Sequence, residues 1–259
     1  MLKLSANLSM LFQELPCQDR VAAAAAAGFA AVEIQFPYTW ERAALKQALC
    51  DHQLPLALIN LPAGDLMQGG PGLACVPGCD DEFTAALRTA CLWAEDLQVA
   101  QVNILAGRRL GEAAEADQER LLIARIKQAC RQLQALGVGV CVEAINSFDM
   151  PNFFIDSLEK LQRLLIAVDE PNLRMQLDVY HLGRMGEDIA AVLRRHIAHT
   201  GHIQFADVPG RGAPGSGSID WSAFFSLMQE LPYEGYCGAE YRVTAASTVA
   251  TLSWMPARV

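Results

Sequence analysis

Four oxygen-bearing side chains stand near the ends of four separate apolar runs. They are Glu143 in CVEAIN (Cys141–Asn146), Asp178 in MQLDVYH (Met175–His181), Gln204 in HIQFADV (His202–Val208) and Glu240 in YCGAEY (Tyr236–Tyr241). A carboxylate inside such a run is costly to bury unless it is paired or bound to a metal. An all-oxygen set of this kind suits a hard divalent ion, Mg²⁺ or Mn²⁺. It also leaves coordination positions open for a substrate that chelates through adjacent oxygens. An ion held there would polarise a carbonyl and stabilise the enediolate formed when the neighbouring C–H is deprotonated. A carboxylate close to that C–H can act as the base. The expected chemistry is metal-assisted proton transfer on a small α-hydroxy carbonyl compound.

Such a site needs a scaffold that brings four distant segments to one place. Apolar runs of strand length fall at Lys3–Met10, Ala31–Phe36, Pro55–Leu61, Gln101–Ala106, Gly139–Asn146, Arg174–His181, Gly201–Val208 and Tyr236–Tyr241. Helical patterns follow them at Gln18–Ala27, Trp40–His52, Asp81–Leu97, Glu112–Ala135, Ser157–Val168, Gly186–Ala198, Trp221–Glu230 and Thr244–Trp254. Gly28 and Gly137 are placed to stop the first and fourth helices. Strict alternation of strand and helix implies a parallel sheet, and eight such units close into a (β/α)8 TIM barrel. The length, 259 residues, fits one barrel, and no Pro/Ser-rich linker or charge block divides it, so a single domain is expected. A barrel places catalytic groups at the C-terminal ends of its strands.

Side-chain parity sharpens this reading, because alternate residues of a barrel strand face opposite sides. The immediate neighbours of Glu143 (Val142, Ala144), Asp178 (Leu177, Val179), Gln204 (Ile203, Phe205) and Glu240 (Ala239, Tyr241) suit an outer helix layer. The polar residues therefore face inward, and the same parity points Asn7, Glu33 and Asn60 inward. Asn7 and Asn60 are expected to line the substrate pocket. Glu33 reads equally as a hydrogen-bond anchor or as a functional group.

Composition narrows the partners. The net charge is −9, and the basic pairs Arg108-Arg109 and Arg194-Arg195 are isolated among acids, so no nucleic acid partner is expected. The N-terminal stretch lacks a basic region followed by a cleavage site, and no segment approaches a membrane span. A cytoplasmic enzyme is expected. The eight cysteines form no C-x-x-C pair and read as free thiols. No G-x-G-x-x-G follows the first strand, so no nucleotide cofactor is expected. The Gly/Pro-rich loop Pro209–Gly217 carries Arg211, a cation that could close on a carboxylate substrate.

The chain resembles the hydroxypyruvate isomerase family, within the xylose-isomerase-like barrels, nearly end to end. The resemblance rests on SANLSMLF (Ser5–Phe12), GFAAVEIQFPY (Gly28–Tyr38), NLPAGD (Asn60–Asp65), GLACVPG (Gly72–Gly78), VEAINSFDMP (Val142–Pro151), QLDVYH (Gln176–His181), GHIQFADVPGRGAPGSGSIDW (Gly201–Trp221) and GAEY (Gly238–Tyr241). It implies that Glu143 and Glu240 are the acid/base pair, and that they hold the metal with Asp178 and Gln204. It also implies that His181 and Arg211 contact the substrate. The implied reaction interconverts hydroxypyruvate and 2-hydroxy-3-oxopropanoate (tartronate semialdehyde). Related chemistries on such barrels are isomerisation of a longer 2-oxo sugar acid (a 2-oxo-tetronate) and ketose 3-epimerisation. More distant readings are a metal-dependent abasic-site endonuclease and a non-catalytic sugar-acid binder. One departure stands out: Arg242-Val243 follow the Glu-Tyr pair where the family pattern has lysine and proline. Exposed apolar helix positions are compatible with a homo-oligomer.

Overall fold

The computed structural model describes residues 2–255. Its strands are β1 (Lys3–Asn7), β2 (Ala31–Ile34), β3 (Leu56–Asn60), β4 (Gln101–Asn103), β5 (Gly139–Glu143), β6 (Leu173–Asp178), β7 (Thr200–Phe205) and β8 (Tyr236–Ala239). They lie in sequence order and close into a barrel, and the neighbours β1–β2, β1–β8, β4–β5, β5–β6 and β7–β8 pair in parallel. The helices are α1 (Cys17–Ala27), α2 (Arg42–His52), α3 (Asp80–Leu97), α4 (Glu115–Gln134), α5 (Leu158–Val168), α6 (Val179–Arg184), α7 (Ile189–His196) and α8 (Trp221–Glu230). Local chemistry sets several of their ends. Ser157, Asp188 and Asp220 accept hydrogen bonds from the backbone N–H groups of Lys160, Ala191 and Ala223, satisfying donors that a helix start leaves open. Gly28 ends α1 at φ 98°, a left-handed conformation that a side chain would disfavour.

Two expected elements differ. The run Arg174–His181 leaves the strand at Asp178, whose carboxylate accepts from Tyr180 N–H and starts α6, so His181 sits on a helical turn. The expected helix Thr244–Trp254 is reduced to a 3₁₀ turn at Val249–Thr251. Its hydroxyls are engaged elsewhere: Thr248 Oγ1 accepts from Phe12 N–H at 2.5 Å and donates to Glu14 at 3.1 Å. Thr248 N–H also donates to Glu14 at 2.6 Å, and Thr251 Oγ1 lies 2.8 Å from the Tyr241 hydroxyl. Ser and Thr side chains that find such partners compete with the helical ladder.

The chain forms two compact units, one of Met1–Leu58 with Leu177–Val259 and one of Ile59–Gln176. In the second, the loops after β3, β4 and β5 are stitched through backbone. Arg108 N–H donates to Pro71 O, Arg109 N–H to Asn152 O, and Phe154 N–H to Gly107 O. Gly107 is required here, since a Cβ would meet Pro71 O at 2.7 Å and φ is 101°. Beneath the β3 loop, the buried Arg125 of α4 donates to Leu73 O at 2.5 Å, Val76 O at 2.9 Å and Asp80 at 2.9 Å. No helix among the described residues is long and apolar enough to cross a membrane.

Arg125 thus supplies charge-assisted donors that no apolar residue can replace. Arg125→Met is expected to lower unfolding free energy by about 3 kcal/mol in urea at unchanged m. A loss below about 0.5 kcal/mol, the range of ordinary surface changes, would show that the loop holds itself.

Candidate active site

In the unit built from both chain ends, the β6 and β8 carboxylates meet one cation. Arg211 Nη2 donates to Glu240 Oε2 at 2.9 Å and lies 3.5 Å from Asp178 Oδ2. Its guanidinium sits over the Tyr180 ring, 5.0 Å from the ring centre, a cation–π contact. His181 Nε2 lies 3.4 Å from Asp178 Oδ2. Gln35, just past β2, donates through Nε2 to the other Glu240 oxygen. Asp178 and Glu240 are almost fully buried, so both charges depend on these donors.

One layer further along the same face, Glu33 of β2 is fully buried. Gln204 Nε2 donates to its Oε1 at 2.7 Å and Asn7 Nδ2 to the same oxygen at 3.0 Å, while His202 Nε2 lies 2.8 Å from Oε2. The expected inward parity of Asn7, Glu33 and Gln204 is therefore realised as direct contact. Asn7 Oδ1 accepts from Ser9 N–H, and Ser9 Oγ accepts from Gln35 N–H, which links this layer to the residue that holds Glu240.

Arg211 rides on a loop organised by Asp207. The Asp207 carboxylate accepts from the backbone N–H groups of Val208, Gly215, Gly217 and Ile219 and from Trp221 Nε1 at 2.8 Å. Burial opposes its charge, but the Trp221 N–H and the loop amides prevail and hold its pKa below the usual aspartate value. Gly217 must be glycine, because a Cβ would meet Val208 O at 2.0 Å. Arg242, at the departure from the family pattern, ties the loop to β8 by donating its N–H to Arg211 O at 2.7 Å, while its side chain is exposed.

In the Ile59–Gln176 unit, Glu143 Oε1 accepts from Asn103 Nδ2 at 2.7 Å, and the same nitrogen lies 3.2 Å from Asn60 Oδ1. The structure thus groups Asp178, His181, Arg211 and Glu240, groups Asn7 and Gln204 on Glu33, and joins Glu143 to Asn60 through Asn103. Sequence reasoning passed over Gln35, Asn103, Tyr180 and Asp207. Gln35 and Asn103 carried a signal, being polar residues of inward parity on strands already assigned. Asp207 is a carboxylate directly before a Gly/Pro loop, a position where aspartate often organises turns. The eight cysteines are free, and burial raises the Cys75 and Cys130 thiols to about 11 and about 12, as inert packing groups.

The xylose isomerase-like TIM barrel family model matches residues 21–258, and the chain belongs to that family. It is 35% identical to the hydroxypyruvate isomerase of Escherichia coli K12, covering 98% of each chain. It is 37% identical to the 2-oxo-tetronate isomerase of Cupriavidus necator, over 98% of this chain and 97% of that one. Among solved structures, a Brucella melitensis protein described as an AP endonuclease of family 2 superposes with a TM-score of 0.93 at 31% identity, covering 98% of both chains. The chain is an isomerase of this family.

Because the Asp207 carboxyl is held below its unfolded value of about 3.9, its contribution is present above that pH and is lost as pH falls through the folded value. Asp207→Asn is expected to cost about 2 kcal/mol at pH 7, the loss of several carboxylate-accepted bonds. The gap to wild type should close on acidification, as read by denaturant titrations between pH 7 and pH 2. A gap that is constant with pH would assign the loss to packing.

Proposed function

We propose that the protein interconverts hydroxypyruvate and 2-hydroxy-3-oxopropanoate, with Glu143 and Glu240 as the acid/base pair. The observation that carries this is the Arg211–Glu240 pair, 2.9 Å apart, which sets a guanidinium for a substrate carboxylate beside a buried carboxylate able to move a proton. One glutamate takes the proton from C3 of hydroxypyruvate, giving the enediolate. The other delivers a proton to C2, while the C3 hydroxyl proton passes to the C2 oxygen, leaving an aldehyde at C3 and a hydroxyl at C2. Electrons stay within the substrate, so no redox partner enters. Arg211 binds the carboxylate in the bidentate manner that guanidinium favours, and His181 contacts a substrate oxygen. Asn7 and Asn60 are read as substrate-binding residues.

Asp178 and Glu240, both buried and both beside Arg211, are with Glu143 and Gln204 the proposed ligand set for a divalent ion. Three carboxylates and an amide oxygen fit a hard divalent ion, Mg²⁺ or Mn²⁺. A divalent ion bound there supplies Lewis-acid polarisation of the substrate carbonyl. The carboxylates' own part is to be held aimed, which Arg211, Gln35 and Asn103 secure.

A second substrate reading has a specific basis. The Cupriavidus 2-oxo-tetronate isomerase is as similar to this chain as the hydroxypyruvate isomerases are, and its named substrate class has one further carbon. The same carboxylate clamp and proton transfer serve both. A nuclease reading, raised by the name of the Brucella protein, fits poorly with a net charge of −9.

Proton NMR in D₂O with hydroxypyruvate should show tartronate semialdehyde with deuterium at C2. Activity should fall on EDTA treatment and return with Mn²⁺ or Mg²⁺; equal turnover after verified metal removal would discard the ion. Glu240→Gln should lower kcat by about 10²- to 10⁴-fold, the usual contribution of a positioned acid or base, with substrate binding partly retained. Unchanged kcat would remove Glu240 from the acid/base pair, and highest turnover on a four-carbon 2-oxo acid would move the substrate to 2-oxo-tetronate.

A further inference from the structure

Glu33 has no place in the proposed proton transfer, yet its carboxylate is met by side chains from two other strands. It has no exposed surface. Donors reach it from Asn7 on β1 and from His202 and Gln204 on β7. On β8, Gly238 leaves out the side chain that would collide with it, since a Cβ there would lie 2.2 Å from Glu33 Oε2. Gly238 is the cross-strand partner of both Gln204 and Ser5, so the carboxylate fills the gap over the glycine between β1 and β7. A buried charge with three side-chain donors and a strand shaped around it is costly to maintain for packing alone.

The consequence falls on Gln204. An amide has a donor end and an acceptor end of nearly equal shape, and only its partners decide which way it points. A carboxylate accepts only, so the 2.7 Å contact commits the Gln204 nitrogen to Glu33 and turns Oε1 the other way.

We propose that Glu33 is a positioning residue that fixes the orientation of the Gln204 amide, so that this position presents oxygen, and not nitrogen, to a divalent cation. The proposal rests on the reading of Gln204 as a metal ligand. It also explains why glutamine can serve as a ligand here: an unrestrained amide must be turned oxygen-first when the cation binds, whereas an anchored one already behaves as a fixed carbonyl. Asn7, whose own amide is oriented by Ser9 N–H, keeps Glu33 from turning away.

The test is Mn²⁺ binding by electron paramagnetic resonance to the full-length metal-free protein and its Glu33→Ala, Glu33→Gln, Gln204→Ala and Glu33→Ala/Gln204→Ala variants, each checked by thermal melting. Gln204→Ala and Glu33→Ala should each weaken Mn²⁺ by about tenfold or more, in the range that loss of a ligand's supporting partner produces. The double variant should be no weaker than Gln204→Ala, because residues acting as one unit are not additive. Glu33→Gln keeps a carbonyl acceptor of the same reach and should stay within about threefold of wild type, which a purely electrostatic effect of the charge would not allow. Equal weakening by Glu33→Ala in both backgrounds, or equal loss in Glu33→Gln and Glu33→Ala, would overturn the proposal. Mn²⁺ binding unchanged by Gln204→Ala would instead remove Gln204 from the ligand set and take the proposal with it. Independently of metal, the Gln204 side-chain ¹⁵N amide protons, assigned by their loss in Gln204→Ala, should be protected from exchange in wild type and exposed in Glu33→Ala. Retained protection would refute the positioning role whatever the metal result.

Discussion

A carboxylate without solvent must be met by donors, and that constraint shapes the half of the molecule built from both chain ends. Glu33 satisfies it with Asn7, His202 and Gln204, and the strand opposite gives way as Gly238. Because successive strands are in parallel register, a residue on β2 can reach β1, β7 and β8 at one level only if the sheet curls back on itself. The polar layer and the closed sheet therefore require each other. Remove the curvature and Glu33 loses its partners; remove the partners and the buried charge destabilises the curvature.

The loops that follow the strands are held by the same logic on a smaller scale. Asp207 gathers four backbone N–H groups and the Trp221 indole, giving a Gly- and Pro-rich segment a fixed course and placing Arg211 over Tyr180. In the Ile59–Gln176 unit the sign is reversed. Arg125 and Arg108 donate to the carbonyls of Leu73, Val76, Gly70 and Pro151 and order those loops by cation. In both cases one charged side chain replaces the regular ladder that a loop lacks, and charge-assisted bonds are the strong ones.

For an isomerase this economy has a chemical benefit. The proposed proton transfer between adjacent carbons needs no cofactor that carries electrons, but it needs buried carboxylates held in place. Glu240 receives Gln35 and Arg211, Asp178 receives Tyr180 N–H and the Arg211 guanidinium, and Glu143 receives Asn103. Each donor meets its carboxylate directly, so these buried oxygens are positioned by the fold itself.

Much of this was legible in the residues alone. The alternation of strand and helix fixed the barrel, and period-two parity placed Asn7, Glu33, Asn60, Glu143, Asp178, Gln204 and Glu240 on one face, because a residue's side in a strand is set by counting. What counting could not supply was partnership. Nothing near Thr248 foretold that its hydroxyl would serve Phe12 and Glu14, more than two hundred residues earlier, at the expense of a helix. Likewise, whether Gln204 offers oxygen or nitrogen is decided by Glu33, 171 residues away in the chain and 2.7 Å away in space. Local sequence determines which side of an element a group occupies, since that depends only on the backbone repeat. Which buried donor meets which buried acceptor depends on strands brought together by closure, so only the tertiary structure decides it.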